Sequence, residues 1–149
     1  TRRRERAAAL SCAGCSIAIG ELGAASEVLD AIDPATLDAS ERVVWLNNRA
    51  CVALEVGRDA QAALALAEEA TSLRPDVPAI QHTRARALLA VGRVDDAIAV
   101  LDAMRAGLEL PAYLEAERCR ELARAWERKG QAAYAEDYRE RARMQAAAS

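Results

Sequence analysis

Two stretches of this chain repeat each other 35 residues apart, and that repetition restricts the fold more than any other property of the sequence. Asn48-Arg49-Ala50-Cys51-Val52-Ala53-Leu54-Glu55-Val56-Gly57-Arg58 lies over Thr83-Arg84-Ala85-Arg86-Ala87-Leu88-Leu89-Ala90-Val91-Gly92-Arg93. Arg-Ala recurs, then Leu, then Val-Gly-Arg. A second pattern follows each glycine: Ala63, Ala67 and Ala70 in one copy, Ala97, Leu101 and Met104 in the other. Spacings of four and three hold such side chains on one face of a helix. The frame extends outward, with Gly20 ahead of Ala25, Leu29 and Ile32, and Gly130 ahead of Ala135, Arg139 and Ala142.

The repeating unit is therefore two helices joined at a glycine. The four glycines stand at 20, 57, 92 and 130, at intervals of 37, 35 and 38 residues. The excess falls where connections belong: Pro34 to Ser40, Asp59 to Gln61 in the second hairpin turn, and Ala106 to Pro111. A glycine at these places accepts a positive φ and closes the first helix. Composition agrees with an all-helical chain: Phe is absent, aromatic residues are 3% of the 149, and Ala and Leu abound. Asp38 with Glu41 has the spacing of a capping box, and Pro78 and Pro111 suit first-turn positions. Eight helices are expected, roughly over 4–19, 23–32, 40–56, 60–73, 78–91, 94–106, 111–129 and 132–147. One hairpin cannot bury its apolar face alone, so neighbouring hairpins must stack.

This pattern resembles the tetratricopeptide repeat family, whose period is about 34 residues. In that family a small residue of the first helix faces a small residue of the second. The corresponding pairs are Ala13 with Ala25, Ala50 with Ala63, Ala85 with Ala97, and Ala123 with Ala135. Gly92-Arg93-Val94-Asp95-Asp96-Ala97-Ile98 is similar to the family's turn and second-helix signature, and Pro75 stands where the closing proline belongs. The chain departs from the pattern where Leu46 replaces the first-helix Trp, with Trp45 one place earlier, and where Arg49 and Arg84 replace a Leu. The resemblance implies one all-α domain over 1–149, a right-handed superhelical solenoid with repeats near 5–37, 40–76, 78–109 and 111–147.

The resemblance also implies a function: a non-catalytic module that binds a peptide or partner protein on the concave face lined by first helices. Candidates on that face are Leu10, Gly14 and Ile17, then Asn47, Asn48, Cys51 and Glu55, then His82, Arg86 and Leu89, and finally Glu117, Arg120, Arg124 and Arg128. The face begins apolar, passes two asparagines and ends basic. Asparagine can bond both polar groups of an extended peptide, and arginine can hold a carboxylate bidentately. The expected binding residues are Asn47, Asn48, His82, Arg86, Arg120 and Arg124, and the expected partner carries an acidic segment. The alternative is that these are ordinary helix charges paired with Glu117, Glu121 and Glu127. Leu10 and Gly14 replace the Lys and Asn with which the family grips a peptide C-terminus, which argues against that mode.

Other chemistry has little support. Cys12-Ala-Gly-Cys15 is a CxxC, but it lies within an expected helix and lacks a second ligand pair for zinc; small helix-interface residues are the simpler reading. His82 is the single histidine, with no nucleophile at a recognisable spacing, and no phosphate-binding glycine loop occurs. No catalytic residue, metal or cofactor is expected. The net charge of −3 and the scattered Trp45, Trp126, Tyr113, Tyr134 and Tyr138 argue against nucleic acid. No apolar run reaches the length of a membrane span. Arg2, Arg3, Arg4 and Arg6 open the chain, either as the polar start of the first helix or as the cytoplasmic flank of a span elsewhere in a longer protein, of which this chain, starting at Thr1, would be a fragment. A cytoplasmic location follows as an expectation. Two rival functions stay open: a self-assembling, homo-oligomeric scaffold, and the regulatory repeat region of a larger kinase or transcription regulator.

Overall fold

Three first helices end at a glycine held in the left-handed region, and that local geometry builds the hairpins. In the computed structural model, which describes residues 2–104 and 109–148, Gly20, Gly92 and Gly130 have φ of 81°, 86° and 75°. Each glycine N–H donates to the carbonyl three residues back (Ile17, Leu89 and Glu127, at 3.1, 3.0 and 2.9 Å). The next N–H reaches five residues back: Glu21 to Ser16 at 2.8 Å, Arg93 to Leu88 at 2.9 Å, and Gln131 to Trp126 at 2.9 Å. This paired closure satisfies carbonyls that a helix end leaves open.

The described residues form eight α-helices and no strand: α1 Arg2–Ala18, α2 Leu22–Asp30, α3 Ala39–Val52, α4 Ala60–Leu73, α5 Pro78–Ala90, α6 Val94–Ala103, α7 Ala112–Arg128 and α8 Ala132–Ala147. Each glycine-linked pair packs as a hairpin. The eight small residues expected at hairpin crossings are all buried, from 0% to 3% exposed. Burial at every one of those positions is what close approach of two helix axes requires.

The expected hinge at Gly57 is wrong in detail. The segment Ala53–Gly57 continues α3 as one π-helical turn, and the left-handed residue is Arg58, at φ 46°. The Arg58 and Asp59 N–H groups both return to the Ala53 carbonyl, the latter at 3.1 Å. The cause is the extra residue in this turn: six positions separate Gly57 from Ala63, against five from each other glycine to its alanine. The chain absorbs it by widening the last helical turn, which moves the reversal one place beyond the glycine.

The junctions also differ from expectation. Between α2 and α3, Pro34–Thr36 forms a 3-10 turn that Asp33 caps through the Ala35 N–H at 3.0 Å. The capping box is present: the Glu41 N–H donates to Asp38 Oδ1 at 2.9 Å and the Asp38 N–H donates to Glu41 Oε2 at 3.0 Å. Pro78 is the first residue of α5, whereas Pro111 sits one place earlier, as the N-cap of α7. The expected extension of the sixth helix to residue 106, and the first half of the junction from Ala106 to Pro111, lie outside the described residues.

The chain divides into two compact units, Thr1–Asp76 and Val77–Ser149, each of two hairpins. In the first, Leu10, Ala13 and Leu29 form a buried cluster with Val28, Ile32, Trp45 and Val52 against it. In the second, Leu88, Leu101, Cys119 and Leu122 are fully buried. One device joins successive hairpins inside both units. Trp45 Nε1 donates to the Leu29 carbonyl at 3.1 Å, and Arg118 Nη1 donates to the Leu101 carbonyl at 3.1 Å. Trp45 and Arg118 each lie 12 residues before their hairpin glycine, and Leu29 and Leu101 each lie nine after theirs. At one repeat position, an N–H on a long side chain thus satisfies a last-turn carbonyl of the preceding hairpin.

Candidate functional site

In the first unit, the residues expected on the binding face are partly consumed by packing. Leu10 is core, at 4% exposure, which corrects its placement as the apolar start of an open face. Asn48 is buried at 8%, and its Nδ2 donates to the Leu10 carbonyl at 3.2 Å, so its amide ties α3 to α1. Gly14 lies beside this bond, where a Cβ would stand 3.8 Å from that nitrogen, an ordinary contact. Asn47 is half-buried, and its Oδ1 is enclosed without a hydrogen-bond partner.

In the second unit the structure brings three of the expected residues together. Glu121 on α7 is the centre, with a side chain only 5% exposed. Arg124 Nη1 lies 2.8 Å from Glu121 Oε1, yet 64% of the Arg124 side chain faces outward. From α5, Arg86 Nε stands 3.8 Å from the same oxygen. Burial pushes the Glu121 carboxyl above its ordinary range, while Arg124 and Arg86 pull it back. His82, one turn before Arg86, is pushed down to about 4, first by burial and then by Arg86 and Arg124. The imidazole is therefore neutral near pH 7, with its Nε2 enclosed and unpartnered.

The face is less basic than the arginines alone imply. Arg120 pairs with Glu117, Arg124 with Glu121, and Arg139 with Glu127 at 3.0 Å. Arg128 donates to the Leu89 carbonyl at the end of α5. A guanidinium has five N–H donors in a fixed fork. Arg124 is anchored from beneath on Glu121, and the rest of its fork is open to solvent.

Sequence reasoning missed the buried pair on the same helix. Arg118 and Glu115 are 4% and 7% exposed and bond bidentately, Nε to Oε2 at 2.8 Å and Nη2 to Oε1 at 2.9 Å. Cys119 Sγ stands 3.6 Å from Glu115 Oε1, and burial raises its thiol. The signal was the i, i+3 acid–arginine pattern along α7, at 115 and 118, 117 and 120, and 121 and 124.

The CxxC thiols, Cys12 and Cys15, are exposed on α1, and no group of three metal-binding side chains occurs among the described residues. Arg6 and Arg3 at the chain's start pair with Glu41 and Asp38 at the start of α3, at 3.2 and 3.3 Å. No helix among the described residues is long and apolar enough to cross a membrane.

A family model described as tetratricopeptide repeat matches residues 57–118, from the end of the π-helical turn to Arg118. No curated protein and no solved structure matches the chain.

Proposed function

We propose that this chain, which carries tetratricopeptide repeats over residues 57–118, acts by holding an extended acidic segment of a partner protein against its first helices. Repeats of this family generally mediate protein–protein interaction and are generally non-catalytic. The observation that carries the finer reading is Arg124, exposed to solvent but anchored on buried Glu121, with Arg86 and His82 beside it from the neighbouring first helix. An arginine fixed on one side presents a ready fork to a carboxylate, and less side-chain entropy is lost on binding. Arg120, exposed beside Glu117, extends this face by one turn. In the first unit the Asn48 amide is committed to the Leu10 carbonyl and the Asn47 Oδ1 is enclosed, so neither offers a whole amide to a peptide.

The test is binding of an array of acidic and neutral peptides to the wild-type chain and to Arg86→Ala and Arg124→Ala. Acidic peptides should bind, and each substitution should weaken them about tenfold, the loss of one charge-assisted contact. Binding unchanged in both variants would remove the acidic-segment reading.

Self-association has one observation in its favour. The last helix leaves Tyr134 and Met144 56% and 64% exposed. Light scattering across concentration tests it: a mass rising from one chain to two supports association through this helix, if Met144→Glu abolishes the rise.

A further inference from the structure

We propose that Cys12 and Cys15 form a two-thiolate site for a soft monovalent metal ion, Cu(I). The expectation that these cysteines pack at a helix interface is not met. α1 turns Leu10, Ala13 and Ser16 inward, and both thiols stay exposed. A free cysteine kept for packing is usually buried, as Cys119 is. Packing therefore gives no account of this pair.

Residues three apart on a helix are surface neighbours, with Cβ atoms about 5 to 6 Å apart. Two metal–thiolate bonds, each about 2.3 Å in the case of zinc, span such a gap when they lie nearly in line. A d10 ion such as Cu(I) accepts that two-coordinate arrangement. The surroundings of the pair then decide the metal. One turn before or after the cysteines stand Ala8, Ala9, Ser11, Ser16, Ala18 and Ile19, with no carboxylate and no imidazole. Structural zinc takes four ligands, and no group of three metal-binding side chains occurs among the described residues. A ligand set of two sulfurs and nothing else favours the soft ion. Binding joins one Cu(I) to two thiols, forms two Cu–S bonds, and releases both thiol protons to solvent. The product is a bis-thiolate of charge −1, with no change of oxidation state.

The experiment titrates the reduced full chain with Cu(I) under argon, in competition with a coloured Cu(I) chelator. Wild type should take up one equivalent and show an ultraviolet thiolate-to-copper absorption. Cys12→Ser and Cys15→Ser should each weaken uptake at least about a hundredfold, and the double variant should be little weaker than either, because the two sulfurs bind as one chelate. Both substitutions change exposed side chains, so circular dichroism should match wild type. Cys51→Ser should bind Cu(I) as wild type does, and light scattering should find the same mass with and without metal. The inference is overturned if each single variant keeps about half the uptake, as two independent thiols would. It is also overturned if a folded Cys51→Ser loses the site, or if loading doubles the mass by bridging two chains. Zinc held as tightly as Cu(I) in a parallel titration would overturn it too.

Discussion

Arg118→Ala should be among the most destabilising single substitutions in this chain, although the residue is charged. Its guanidinium is 4% exposed and makes three hydrogen bonds, two to Glu115 and one to the Leu101 carbonyl. Truncation takes the guanidinium away from the buried Glu115 carboxylate, a loss worth about 3 to 5 kcal/mol when one member of a buried pair is removed. The Leu101 carbonyl also loses its donor; that bond, about 1.5 to 3 kcal/mol by itself, overlaps with the first loss and is not added in full. The expected cost is about 4 kcal/mol. Replacing both partners together, as Glu115→Leu with Arg118→Met, should recover most of it, because an apolar pair carries no desolvation penalty. The assay is urea unfolding followed by Trp126 fluorescence in a Trp45→Phe background, so that the signal reports on residues 77–149. With a slope of about 2 kcal/mol/M the midpoint should fall by about 2 M. A loss below about 1 kcal/mol for Arg118→Ala, or a double variant no better than the single, would refute the buried-pair reasoning.

Two further outcomes follow from the turns and the histidine. Gly92→Ala should cost about 1 to 2 kcal/mol in thermal unfolding because φ is 86° there, whereas Gly57→Ala should be within about 0.5 kcal/mol of wild type, since Arg58 carries the left-handed turn; equal costs would remove the π-turn account. The single histidine gives an isolated proton resonance whose titration midpoint should lie at about 4 in the folded chain. Because that value is depressed below the unfolded one of 6.5, the unfolded state binds the proton first, and stability should fall as pH drops from 6.5 towards 4; His82→Gln should flatten this window, and a folded midpoint near 6.5 would contradict the burial of the ring.

The hairpins were legible because they depend on local spacing. Three of the four glycine positions, the small pairs and the Asp38 capping box are all short-range signals found in place. Gly57 misled because the same Val-Gly-Arg string sits in a turn one residue longer, and a helix can widen its last turn to take up the difference. The candidate site was half legible. Spacing put Arg86 and Arg124 on first-helix faces, but whether an arginine meets a ligand or a glutamate depends on rotamers and on the facing helix. Asn48 shows the same limit from the other side: an asparagine with the right register for a peptide instead bonds the Leu10 carbonyl. Arg118 escaped notice because a charged residue within a polar helix reads as surface, and only tertiary packing turns it inward.

The claim that matters most is that the first-helix face of α5 and α7 receives an acidic segment. Backbone amide shifts of the labelled chain, recorded as an acidic peptide is added, test it most directly. The largest changes should cluster around His82, Arg86, Glu121 and Arg124, with α6 and α8 little affected. Changes confined to the second helices, or none at millimolar peptide, would contradict it.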